Sequence, residues 1–209
     1  MMLAVQNLSC ERDDRVLFEA LSFTVQEHDI LQIEGPNGSG KTTLLRILCG
    51  LNSNYSGQIF WQGEELASVR EQYCHNLLYV GHYAGVKAAL TPEENLRWLK
   101  ALQPQALGKG DIGAALAKVG LYGYEDVPCY MLSAGQQRRV GLARLYMSTA
   151  KLWILDEPFT ALDKKGVGEK EKLIAAHAEQ GGAVILTTHH DLMIEGRPVR
   201  SVHLTEVSL

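Results

Sequence analysis

Gly35-Pro36-Asn37-Gly38-Ser39-Gly40-Lys41-Thr42 fits the pattern G-x-x-x-x-G-K-[ST], and it stands between an apolar run at 30–34 and a helix-patterned segment at 43–48. A strand feeding a glycine-rich turn that opens a helix is built to hold a polyphosphate. Glycines let successive backbone N–H groups curl around the β- and γ-phosphates, Lys41 brings charge to the same oxygens, and the helix N-terminus adds its dipole. The Thr42 hydroxyl would hold Mg²⁺. ATP with Mg²⁺ is thus the implied cofactor, with Gly35, Pro36, Asn37, Gly38, Ser39, Gly40, Lys41, Thr42 and the following Thr43 as binding candidates. The plain alternative is a glycine-rich connection, and the flanking elements argue against it.

Outward from the loop, β-type runs occupy 3–8, 21–25, 30–34, 77–80, 152–156 and 183–188. Leu152-Trp153-Ile154-Leu155 and Ala183-Val184-Ile185-Leu186 are unbroken apolar blocks, which suits central parallel strands covered on both faces. The early runs, with the turn-like Glu11-Arg12-Asp13-Asp14 between two of them, read as an antiparallel sheet at the N-terminal side. From about 84 to 150 the pattern turns helical. Thr91-Pro92-Glu93-Glu94 is a capping box leading into 95–102, residues 112–119 follow Asp111, and 135–147 carries Arg138-Arg139 beside Val140, Leu142 and Leu145. The implied class is α/β, a single domain over 1–209 with a helical insert and no repeat or linker.

Composition narrows the function. The chain has 209 residues, 46% hydrophobic and 21% charged, with 20 Lys+Arg against 24 Asp+Glu for a net charge of −4. That suits an ordinary folded domain and gives no bulk charge for phosphate-neutralising nucleic-acid binding. The four cysteines lie far apart with no C-x-x-C pair, which reads as reduced and cytosolic. No run approaches the roughly 18 apolar residues that span a bilayer, and the first residues lack the pattern of a secretion signal.

The apolar run at 152–155 ends in Asp156-Glu157, followed by Pro158. Asp156 can reach Mg²⁺, while Glu157 can polarise a water for in-line attack on the γ-phosphorus. Two solvated acids capping a buried strand would be the bland reading, and the glycine loop tilts the balance. His189 follows the second buried run at the strand edge where ligands collect in open α/β sheets, and it is assigned to the γ-phosphate. His190 has no assigned role. Leu132-Ser133-Ala134-Gly135-Gln136 opens the basic helix, so its N–H groups could also face an anion. Equally, Ser133 could be an N-cap on a helix whose Arg138, Arg139 and Arg144 form a solvated face.

The order of these motifs, then Ala161-Leu162-Asp163 and Thr188-His189, resembles that of ABC-transporter ATP-binding subunits over essentially the whole chain. The resemblance implies a P-loop NTPase with a RecA-like core, an N-terminal antiparallel sheet and an inserted helical subdomain. It implies a homodimer that sandwiches two ATP, with Ser133, Gly135 and Gln136 contacting the nucleotide held by the other chain and Asp163 at the seam. Lys41, Glu157 and His189 would do the chemistry. Within the family, the stretches Cys10-Glu11-Arg12-Asp13, Gly81-His82, Gln136-Gln137-Arg138-Arg139 and 181–189 are similar to the branch serving cytochrome c maturation, the haem exporter ATPases. About 20 residues follow His189, where many transporter ATPases continue into regulatory domains.

Three positions depart from the general pattern. His82 stands where a Gln usually senses Mg²⁺ and water, Arg12 where an aromatic ring usually stacks on adenine, and Ala134 where Gly is usual. Arg can stack on a base as well. Ala134 fits only if its φ is negative. The implied partners are an integral membrane permease subunit and other cytochrome c maturation membrane proteins, and the implied location is peripheral, on the cytoplasmic face of the bacterial inner membrane. No nucleic acid is implied, and no haem site is visible: no Cys-x-x-Cys-His occurs. Alternatives are a subunit for another export substrate, a soluble ABC ATPase acting on DNA or ribosomes, and an adaptor that binds ATP without turnover.

Overall fold

The computed structural model describes residues 1–13, 15–108, 110–160, 162–194 and 196–204, so Asp14 and Ala161 lie outside the described residues. Strands β1 (Leu3–Arg12) and β2 (Arg15–Val25) pair antiparallel, and β1 also pairs with β4 (Ser56–Trp61), itself paired with β5 (Glu64–Glu65). The sheet order is β2-β1-β4-β5. Gly57 sits where a Cβ would lie 2.4 Å from the Asn7 carbonyl oxygen, so the β1–β4 approach requires a residue without a side chain.

The second sheet is parallel throughout, in the order β6-β7-β8-β3-β9, with β3 Ile30–Glu34, β6 Leu77–Val80, β7 Leu152–Asp156, β8 Ala183–Thr187 and β9 Arg200–His203. Every residue of β7 and β8 is buried, because both faces are covered. Leu152, Ile154 and Ile185 pack with Leu44, Leu45 and Leu48 of α1 (Lys41–Leu48) on one face. Trp153, Leu155, Val184 and Leu186 pack on the other, against Leu142, Leu145 and Ile174. The period-2 alternation thus divides one strand between two cores. Because the strands run together in register, Gly35, Gly81, Glu157 and Thr188 all leave the sheet at one edge.

After α2 (Arg70–His75), the described residues between β6 and β7 form four α-helices: α3 (Pro92–Leu102), α4 (Pro104–Leu107), α5 (Ile112–Lys118) and α6 (Ala134–Ala143). Thr91 Oγ1 accepts from Glu94 N at 3.2 Å, and Glu94 Oε2 accepts from Thr91 N at 2.9 Å, so the capping box forms as its sequence requires. Leu96, Leu116, Leu121, Val140 and Met147 give these helices a small core of their own. Helix α7 (Lys164–Glu179) connects β7 to β8. Among the described residues no helix is long and apolar enough to cross a membrane.

Several boundaries differ from the sequence reading. Glu11 and Arg12 pair with Val16 and Arg15 instead of turning, since charged residues on an exposed two-stranded end are compatible with a ladder. The basic helix starts at Ala134, stops at Ala143 and tightens into a 3₁₀ turn at Arg144–Tyr146. Thr188 lies beyond β8.

Candidate functional site

The glycine loop takes conformations that L side chains rarely adopt: φ is +149° at Gly35, +85° at Gly38 and +94° at Gly40, the residue that opens α1. Lys41 Nζ folds over the loop and donates to the carbonyls of Gly35 at 2.6 Å and Pro36 at 3.0 Å. Thr42 Oγ1 donates to Asp156 Oδ2 at 2.9 Å, which brings the start of α1 to the end of β7. Asp156 is buried, and its other oxygen accepts from Thr187 Oγ1 at 2.8 Å. A hydroxyl and a carboxylate meeting beside the loop are hard oxygen donors of the kind Mg²⁺ takes together with phosphate oxygens and waters, so these residues fit that ion.

Glu157 follows immediately in the left-handed region, φ +51°. Its backbone N–H is shared between Thr187 Oγ1 at 3.1 Å and the Thr187 carbonyl at 3.2 Å. The His189 Nε2 atom stands 3.6 Å from Glu157 Oε1, with the carboxylate largely shielded and the imidazole mostly exposed. Glycine loop, Thr42, Asp156, Glu157 and His189 are thus assembled at one sheet edge by a single chain. His190 points elsewhere, toward Phe159 and Glu171, which makes it a packing residue.

Thr187 carries no signal of its own in the sequence, sitting at the end of an apolar block. Arg138 is the other omission, and here the solvated-face reading is wrong. Arg138 is 7% exposed and its guanidinium donates to the carbonyls of Gly81, Tyr83, Asp156 and Glu157. Burial pulls its pKa down, while Asp156, Tyr79 and Glu157 act to raise it. Arg139 reaches the Val119 carbonyl at 3.3 Å, and Arg144 bonds the Gly141 carbonyl at 3.0 Å while burial first, then Arg138, lowers its pKa to about 10. A signal existed: Arg138 lies four and seven residues before the buried Leu142 and Leu145, on the same helical face.

Ser133 does cap α6: its Oγ accepts from Gln136 N at 3.2 Å, and Gln136 Oε1 accepts from Ser133 N at 2.9 Å. Ala134 opens the helix and is not among the positive-φ residues, which explains why it tolerates a Cβ. Asp163 caps α7, accepting from Gly166 N at 2.8 Å. Ser133, Gly135, Gln136 and Asp163 line one cavity of about 880 Å³ that no glycine-loop residue lines. The site residues therefore fall into two groups on one chain. Arg12 is exposed, pairs with Asp13 at 3.3 Å, and shares a cavity of about 380 Å³ with Thr43 and Arg46. His82 is exposed, its ring edge-on to Tyr83 at 5.6 Å.

A family model described as ABC transporter matches residues 18–160. The chain is 56% identical over 208 residues to the cytochrome c biogenesis ATP-binding export protein CcmA of Hahella chejuensis, covering 99% of this chain and 97% of that one. It is 53% identical over 203 residues to the protein of the same name in Vibrio cholerae, covering 97% and 98%. Among solved structures, an ABC transporter ATP-binding protein from Pyrococcus furiosus superposes with a TM-score of 0.80 at 24% identity, covering 98% of each chain. A dimeric ATP-binding cassette in a post-hydrolysis state with ADP and Pi gives 0.82 at 20% identity, covering 99% of this chain and 97% of that one. Both likenesses concern the fold.

Proposed function

Because the chain belongs to the ABC transporter ATP-binding family, we propose that it is the energy-coupling ATPase of a membrane complex serving cytochrome c biogenesis. The observation that carries this reading is the junction at one sheet edge, where Thr42 meets Asp156 and Glu157 faces His189. Lys41 and the loop N–H groups bind the β- and γ-phosphates of ATP, with Thr43 and Arg12 on the nucleoside side. Thr42 and Asp156 hold Mg²⁺, which when bound neutralises developing phosphate charge. Glu157 accepts the proton of the attacking water, and His189 hydrogen-bonds the γ-phosphate. Ser133, Gly135, Gln136 and Asp163, held apart from the loop on their own cavity, act on the nucleotide of a second copy. This reading makes the chain one cassette whose helices α3–α6 form a subdomain, paired head to tail across two ATP. Its membrane partners include a permease subunit, with His82 on the coupling side, and the dimer sits peripherally at the cytoplasmic face of the inner membrane.

The experiment is a comparison of Mg²⁺-dependent ATP hydrolysis in wild type, Lys41→Ala and Glu157→Gln. Turnover should vanish in both variants and ATP binding should survive only in the second. Unchanged turnover in Lys41→Ala sinks the ATPase reading. Cells deprived of the chain should lose mature c-type cytochromes, and normal levels would sink the biogenesis reading.

A further inference from the structure

A buried arginine normally answers to a carboxylate. Among the described residues Arg138 forms no such pair, and its charge is met by main-chain carbonyls from two places in the fold. One guanidinium nitrogen donates to Gly81 and, at 3.3 Å, to Tyr83, on either side of His82. The other donates to Asp156 at 2.8 Å and Glu157 at 3.1 Å. The planar fork therefore spans the gap between the loop after β6 and the end of β7, which a point donor such as Lys could not do.

Both peptide groups of Glu157 are restrained. Its N–H is held by Thr187 and its carbonyl by Arg138, with φ at +51° between them. A non-glycine residue in the left-handed region is strained and persists where its surroundings over-determine it. Arg138 and Thr187 are those surroundings. Helix α6 also presses on the same loop directly, since a Cβ on Gly141 would stand 2.5 Å from the Ala84 carbonyl oxygen.

We propose that Arg138 is a positioning residue that sets the Glu157 backbone according to where the Gly81–Tyr83 loop lies, so that loop movement is relayed to the water-activating carboxylate. This rests on Glu157 acting as general base. Its donors are spent on main-chain carbonyls, so its effect belongs to turnover rather than to nucleotide binding. A shift of the loop carbonyls moves the guanidinium, and the guanidinium carries the carbonyls of Asp156 and Glu157 with it.

The test is kcat and ATP affinity in Arg138→Lys and Arg138→Gln, the latter free of an unshared buried charge. Expected is a tenfold or larger fall in kcat with ATP Kd and KM within twofold of wild type. Gly141→Ala, which displaces Ala84, should lower kcat in wild type and add nothing once Arg138 is replaced. Wild-type kcat in both Arg138 variants, a parallel loss of kcat and ATP affinity, independent multiplicative effects of Gly141→Ala, or failure of both variants to fold would each overturn the relay. A failure of the ATPase reading looks different: wild type itself would show no Lys41-dependent hydrolysis.

Discussion

Thr187→Val removes one oxygen from the site and leaves its shape. The hydroxyl donates to Asp156 Oδ1 at 2.8 Å and accepts from Glu157 N at 3.1 Å, and both Thr187 and Asp156 are buried. Glu157 N keeps the Thr187 carbonyl at 3.2 Å, so the loss falls on the carboxylate. A hydrogen bond to a charged group contributes about 1.5–3 kcal/mol, and an oxygen left buried without its donor is at the upper side of that range. Valine fills the same volume, so no cavity term is added. The expected destabilisation is about 2 kcal/mol, which for a domain of this size lowers Tm by roughly 4–8 °C. Asp156 also loses one of the two hydroxyls orienting it, the other being Thr42 at 2.9 Å. The Mg²⁺ concentration giving half-maximal ATPase should therefore rise about tenfold, the equivalent of about 1.4 kcal/mol. Thermal melts followed by circular dichroism and Mg²⁺ titrations of turnover read the two effects, with Thr187→Ser restoring the Mg²⁺ response. A Tm within 1 °C of wild type together with an unchanged Mg²⁺ titration would refute the reasoning.

Three further expectations concern histidines and a glycine. His177 stacks on Trp153 at 3.8 Å and its pKa is lowered to about 4, chiefly by burial, with the backbone of Lys151 and Ala183 pulling weakly the other way. Its folded-state pKa is depressed, so stability is full above about pH 6.5 and is lost as pH falls toward 4, at up to about 1.4 kcal/mol per pH unit. Urea unfolding across that window should show this slope in wild type and not in His177→Phe; parallel curves would contradict it. Gly182→Ala places a Cβ 2.2 Å from His177 Nε2, and with the ring backed by Trp153 the cost should be about 1–3 kcal/mol by the same unfolding assay, an unchanged midpoint counting against it. Partner-coupled ATPase should differ between wild type and His82→Gln, because an exposed imidazole stands in the loop after β6 where an amide would offer a different donor and acceptor set; matching partner-stimulated turnover would remove the idea.

The parallel core was legible because residues 152–155 of β7 and 183–186 of β8 are unbroken apolar blocks, the pattern that burial on both faces produces. The helix starts at Thr91 and Asp111 were legible because caps are local chemistry. What escaped depends on distant partners. Helix α7 carries Gly166, Gly168 and several lysines, and it forms because Ile174 and Ala178 bury against the sheet, a gain invisible to propensity. Edge strand β9 is mostly exposed and owes its existence to pairing with β3. In the site, Gly35–Thr42 and Asp156-Glu157 announce themselves by spacing. The bonds of Thr187 and Arg138 exist only after β7, β8 and α6 are brought together, so a charge such as Arg138 reads as solvent-facing until its helical face is compared with Leu142 and Leu145.

Ser133 and Asp163 line a cavity that no glycine-loop residue of the same chain lines, which is why the proposed ATPase needs a second copy at each nucleotide. Light scattering of Glu157→Gln with MgATP measures this directly, alone and with its membrane partner. A doubling of mass on ATP addition, abolished by replacing Gly135 with a bulky residue, is the predicted result. A mass that stays monomeric at saturating MgATP in both settings would contradict it.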